Sequence, residues 1–195
     1  MGSWILLILV VVVVLWAISA YNGLISLKNQ TTNAFKQIDV QLKRRHDLIP
    51  NLVNAVKGAM DFEKSTLEAV VQARNQAVQV NAAAGPDAMK QISQAENALS
   101  GALSKLMVVV ERYPDLKATG NVGQLQEELT STENRISFAR QLYNDTATQY
   151  NTKQQQFPAS LMAGLANAAA AQLWEIDDQA DKAVPQVDLS TKPKA

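Results

Sequence analysis

The sequence predicts an all-α protein: an N-terminal transmembrane helix followed by an elongated antiparallel helical bundle of three long helices and a shorter, apolar fourth. Three observations carry this. Residues 2–27 hold no charged side chain and Trp4 to Ile18 is apolar throughout, long enough as a helix for a hydrocarbon core of about 30 Å. Beyond it, apolar residues recur at alternating steps of three and four, the stripe of a helix packed on other helices. No stretch alternates with period two for long enough to be a strand, and Gly (8) and Pro (6) are few for 195 residues. The expected organisation is an anchor over residues 1–23, a bundle over 24–184 and a tail over 185–195.

The anchor reads as a retained span. Its first residues, Met1-Gly2-Ser3, carry no Lys or Arg, and the best small-residue cleavage site, Ala17-Ile18-Ser19, is weak. Trp4, Trp16 and Tyr21 are the aromatic side chains placed to sit at or near the interfaces. Orientation follows from charge. Between Lys28 and Met60 stand six bases and two acids, so the expectation is a single-pass protein of the cell membrane with its bundle in the cytoplasm and a short N-terminus outside. Asn22-Gly23 is the expected flexure between span and bundle, because Gly is a poor helix-interior residue.

The next element is organised by a heptad seam: Phe35, Ile38, Leu42, Arg45, Ile49, Leu52, Val56, Ala59, Glu63, Thr66, Val70, Ala73, Ala77 and Val80. Read as one helix, these residues make a rod of about 70 Å. Pro50 lies inside it and takes away the hydrogen bond owed to the His46 carbonyl, which predicts a kink without a break. A Gly-Pro pair at 85–86 ends the rod. The second helix carries Ile92, Ala95, Leu99, Ala102, Leu106 and Val109 up to Tyr113-Pro114, and residues 114–121 form the longest turn-like segment. The third runs from Val122 to Phe157 and stops at Pro158. The fourth is predicted from Ala159 to about Ala183, mostly Ala and Leu up to Trp174. That surface is too apolar to face water on all sides, so Leu161, Leu165, Ala169, Leu173 and Trp174 are the candidate oligomer interface.

Chemistry is sparse. There is no cysteine, a single histidine, and a net charge of zero, which gives no electrostatic reason to expect nucleic acid. His46 and Asp47 are adjacent, so on a helix they point about 100° apart and form no dyad. No metal site, cofactor site or catalytic constellation emerges, and the expectation is a non-enzyme. The polar feature that stands out is structural: Arg44, Arg45, His46 and Asp47, with Pro50 one turn on and Glu63 further along the seam. A charge in a packed stripe is costly unless paired, so Arg45 and Glu63 should each meet an opposite charge or lie in a solvated part of the rod. Glu96 and Glu133 are candidate partners, and Arg135 is a third. Ala95-Glu96-Asn97 and Thr132-Glu133-Asn134 echo each other, which reads as shared packing and not as a duplicated site.

The run from Gln37 to Val53 (QIDVQLKRRHDLIPNLV) resembles the LemA family. So do Tyr21-Asn22, Glu96-Asn97, Tyr113-Pro114, Thr132-Glu133-Asn134, Tyr143-Asn144, Tyr150-Asn151 and Phe157-Pro158. The resemblance covers nearly all of Tyr21 to Leu189. It implies a bacterial or archaeal membrane protein with an N-terminal span and a helical bundle, engaged in membrane organisation or in assisting a membrane protease. One departure follows Phe157-Pro158, where the family tends to continue with an aromatic segment and this chain is Ala-rich. The functional expectation is a self-associating scaffold that organises or remodels a membrane patch, in contact with lipid and with copies of itself. The alternatives are a regulatory adaptor for a membrane protease or sensor, and, more remotely, a carboxylate-based enzyme.

Overall fold

The computed structural model describes residues 2–57, 63–83, 88–113 and 120–175, all of it helix, turn or extended segment. Among the described residues five helices follow in order: α1 (Gly2–Lys57), α2 (Lys64–Ala83), α3 (Met89–Val110), α4 (Gly120–Gln155) and the short α5 (Ser160–Ala163). Among the described residues there is no strand, and the fold is all-α.

The first helix crosses Asn22-Gly23 without interruption, so the expected flexure does not form. One Gly costs a helix interior about 1 kcal/mol, too little to break 56 residues held by helix on both sides. The N-terminal part of α1 is apolar and long enough to cross a membrane, and none of its most hydropathic window is buried inside the protein. Pro50 is likewise accommodated within α1, on an exposed face.

The predicted rod is a hairpin. The seam does not run straight from Phe35 to Val80: α1 ends at Lys57, and α2 folds back along it. Arg74 of α2 hydrogen-bonds the His46 carbonyl of α1 at 3.2 Å, whereas 28 residues of unbroken helix would hold the two about 42 Å apart. The polar seam positions Glu63 and Thr66 stand at the start of the returning arm, where Glu63 is half-buried. Ala59 lies outside the described residues. Both arms of a helical hairpin carry a seam, and here the second continues the heptad count of the first.

The long helices α1 and α4 pack along each other, and α2 packs on α1 and α3, giving an elongated bundle. Its core divides in two. One apolar cluster joins Ile49, Leu52 and Val56 to Val70, Leu99, Leu106 and Leu129. The other joins Ala34, Ile38 and Leu42 to Ile92, Ile136, Tyr143 and Trp174. Between them α1 contributes Arg45 and His46, both buried.

The shorter, apolar helix predicted from Ala159 does not form as one element among the described residues. After α4 the chain turns through a cis Phe157–Pro158 peptide into α5, which gives way by residue 168 to an extended strap reaching Glu175. Asn167 ends the helical turn in the left-handed region (φ 45°). The Ala168 N–H reaches the Ala163 carbonyl at 3.0 Å, and the Asn167 N–H reaches that of Gly164 at 3.2 Å, the bonds of a helix stop. The predicted remainder of that helix and the tail over 185–195 lie outside the described residues, as do 84–87 and 114–119, where turns are expected.

Candidate functional site

Where the two cores meet, all four long helices supply a side chain to one polar layer. Arg45 is the largest fully buried side chain among the described residues, and its guanidinium is divided among three acceptors. Nη2 binds Glu96 of α3, and Nη1 binds Glu133 Oε1 of α4 at 2.6 Å and Ser100 Oγ of α3 at 3.0 Å. Glu96 is itself fully buried. Its second oxygen accepts from Asn81 of α2 at 2.6 Å and lies 3.0 Å from His46 Nε2. Glu133 keeps 38% of its side chain exposed, at the edge of the layer. Arg140, two turns along α4 from Glu133, completes the charges: two guanidinium groups against two carboxylates.

The environment decides how these groups ionise. Burial pushes the Glu96 carboxyl up, but the adjacent His46 imidazole and the charge of Arg45 together pull harder, and the net position is below its usual 4.5. Glu96 is therefore held as the anion. Burial, and then the like charge of Arg45, lower Arg140 to about 10, against an upward pull from Glu133 and Glu96. Arg140 Nε and Nη2 are buried with no hydrogen-bond partner among the described residues, and the guanidinium lies 4.4 Å from the ring centroid of Trp174. A planar cation stacked on a large aromatic face recovers part of its lost hydration.

The residues picked from sequence scatter across this arrangement. Arg45 and His46 are in the layer. Arg44 is half exposed and lies 3.9 Å from Glu128, a surface pair of small energetic weight. Asp47 is exposed. Pro50 joins the site indirectly: the His46 carbonyl that it leaves without a helical donor is taken by Arg74 Nε. The sequence signal for Arg74 was its place in the returning arm, visible only once the rod is folded in half. The echo of Glu96 in Glu133 is packing of a specific kind, since both acids grip one guanidinium from two helices.

A second constellation was missed entirely. Asn144 and Asn151, seven residues apart on α4, each hold one residue of the strap by its backbone. Asn144 accepts from the Trp174 N–H at 2.8 Å and donates to its carbonyl at 3.1 Å. Asn151 does the same for Ala171, with both bonds at 2.8 Å. Seven helical residues rise about 10.5 Å, and three extended residues span about 10 Å, so the spacings match. Tyr143 donates to the Gln172 carbonyl at 2.6 Å. The repeated Tyr-Asn pair at 143–144 and 150–151 was the signal. Docking of the strap puts Trp174 in the core, 3% exposed, so it is no part of a surface interface. Leu161, Leu165, Ala169 and Leu173 are exposed, but not as the face of one helix.

Among the described residues no group of three or more His, Cys, Asp or Glu is arranged to hold a metal ion. The exposed apolar side chains outside the N-terminal part of α1 include Val40, Phe138 and Leu142, which line a shallow groove between α1 and α4, and Phe157, Leu161 and Leu165 beyond the end of α4.

A family model described as the LemA family matches residues 34–189. The chain is 23% identical over 176 residues to magnetosome protein MamQ 2 of Paramagnetospirillum magneticum, covering 80% of this chain and 64% of that protein. To magnetosome protein MamQ of Magnetospirillum gryphiswaldense it is 23% identical over 164 residues, covering 73% and 60% respectively. To protein LemA of Metamycoplasma hominis it is 29% identical over 161 residues, covering 80% and 70%. The chain thus spans less than two thirds of the length of these magnetosome relatives. The family match takes in the Arg44–Asp47 cluster on α1, all of α2, α3 and α4, and the strap, and the chain belongs to the LemA family.

Proposed function

We propose that the chain is a non-enzymatic, membrane-anchored scaffold, with α1 serving both as the membrane span and as the spine of the bundle. The observation that carries this reading is the unbroken α1, in which an apolar segment with no buried residue among those described in its most hydropathic window runs directly into a packed seam. A span joined to its domain by a flexible linker tethers; a span continuous with the domain's central helix also orients it. The polar layer supports a structural role, because Arg45 and Glu96 have no exposed surface from which to meet a substrate. The family and its magnetosome relatives support a membrane-associated role. The bundle faces the cytoplasm in this reading, by the excess of bases that follows the span.

Self-association is proposed through the groove lined by Val40, Phe138 and Leu142, which are 62%, 72% and 43% exposed. Lys36 and Arg135 border it. Particle size of the full-length protein in mild detergent is the test. Homomeric particles larger than a monomer that shrink on Phe138→Ser support the scaffold. Monomers recovered together with a membrane protease or sensor would instead support an adaptor that presents the same groove. Loss of cellular function on Glu133→Gln with assembly intact would favour carboxylate chemistry and count against both.

A further inference from the structure

The turn that links α4 to the strap lies beside the membrane-spanning part of α1. The antiparallel register of α1 and α4 is fixed by the Arg45–Glu133 contact. Counting residue for residue from it places Gln155, the last residue of α4, level with about Gly23. The chain continues past that level into α5, which packs on α1, and returns at Asn167, whose carbonyl accepts from Lys28 Nζ at 3.4 Å. The elbow over residues 156–167 therefore reaches below Lys28, alongside the end of the apolar segment. Burial along α1 marks the same place: residues 2–15 are all exposed, whereas Trp16, Ala17, Ala20 and Gly23 are half-buried and Leu24 is buried.

A span of about 20 residues centred on the apolar run Trp4–Ile18 extends to about Tyr21. The elbow is thus level with the inner end of the span. Its outward side chains suit that depth. Phe157, Leu161 and Leu165 are 81%, 61% and 74% exposed, which would be costly in water for three large apolar groups on one turn. No acid occurs in residues 2–38 or 146–174, while Lys28, Lys36 and Lys153 do, as a surface next to anionic headgroups requires.

We propose that this elbow is a second membrane contact, with Phe157, Leu161 and Leu165 inserted into the leaflet from which α1 emerges. The inference rests on α1 being the span. It adds an anchor off the α1 axis, so that the bundle is fixed in tilt and rotation instead of swivelling on one helix. It also occupies area in one leaflet only.

The natural chain has no cysteine, so single-cysteine variants of the full-length protein can carry a fluorophore in vesicles of equal parts phosphatidylcholine and phosphatidylglycerol. Leu161→Cys and Leu165→Cys test the elbow, Val10→Cys tests the span, and Val108→Cys reports a 60% exposed position towards the other end of the bundle. The expected result is quenching by lipids brominated on the acyl chain at positions 161, 165 and 10, at least about fivefold above position 108, with low access for aqueous iodide. Quenching at 10 together with iodide access at 161 and 165 overturns the elbow and leaves the span standing. Absence of lipid quenching at 10 overturns the anchored reading itself. Protection of 161 and 165 from both quenchers, growing with protein density, overturns the lipid contact in favour of a contact between copies. The far-ultraviolet dichroism of each variant shows that it is folded before it is compared.

Discussion

Replacing Arg45 by Met weighs the polar layer directly. The guanidinium and the Glu96 carboxylate have no exposed surface, so the substitution strands an anion that water does not reach. Breaking a buried pair from one side costs about 3–5 kcal/mol. Glu133, being 38% exposed, turns to solvent and adds little. Asn81 and His46 still face Glu96 and keep the loss in the lower part of the range, about 3–4 kcal/mol. With a urea slope of about 2 kcal/mol per molar, the unfolding midpoint drops by about 1.5–2 M. The assay is urea unfolding of the full-length protein in detergent micelles, followed by circular dichroism. A second substitution separates a stranded charge from lost packing. In the Arg45→Met background, Glu96→Gln removes the charge while its amide oxygen still accepts from Asn81, and at least half of the lost stability should return. A single-variant loss below about 1 kcal/mol, or a double variant as unstable as the sum of the singles, would refute the reasoning.

Three further outcomes are expected. Arg74→Met leaves the His46 carbonyl without a donor and costs about 1–2 kcal/mol; in a Pro50→Ala background the helix supplies its own donor and most of that cost disappears, which paired urea melts will register. Glu96 has a folded-state pKa below its usual value, so its contribution is fully present above about pH 4.5 and is lost as pH falls through the depressed value; Glu96→Gln flattens the acid limb of a stability-against-pH profile, and an unchanged limb contradicts the assignment. Asn144→Ala and Asn151→Ala each remove two bonds to the strap, about 1–2 kcal/mol apiece; with Trp4 and Trp16 replaced by Phe, the emission of Trp174 shifts to the red in the double variant, and a constant emission would mean the strap is held by something else.

What could be read from the sequence, and what could not, follows from the range of the interactions concerned. A charge on an apolar seam has to find a partner wherever the chain runs, so Arg45 pointed to Glu96 and Glu133 before any geometry was known. The reversal between α1 and α2 was hidden because the heptad phase is the same on both arms. Its trace was only the weakening of the seam at Glu63 and Thr66. Asn22-Gly23 failed to bend α1 for the opposite reason, a local preference too small against the helix around it. The strap reversed a strong local preference. Alanine favours helix, yet 168–175 is extended, because Asn167 stops the helix and two asparagines on α4 fix the backbone that follows. Propensity acts within a turn of helix, whereas the Asn144–Asn151 spacing gains its meaning only from a partner twenty to thirty residues away.

The polar layer also bears on how the bundle meets the membrane. An apolar helix packed on apolar helices can slide by one turn, about 5.4 Å, at modest cost. Here such a slide would drive Arg45 into Leu42 or Ile49 surroundings and strand Glu96 in the core, so the register of α1 against α3 and α4 is held by charge as well as by shape. In the anchored reading α1 is the span, and fixing its register sets the height of the whole bundle above the bilayer. It also fixes the phase of the helix, and with it the direction of the face that carries the half-buried Trp16 and Ala20 and the buried Leu24. A scaffold that must present the same surface from every copy needs both quantities defined. A buried ion cluster at the centre of the bundle defines them more sharply than apolar packing would, because charge pairing discriminates between registers that hydrophobic burial leaves nearly equal.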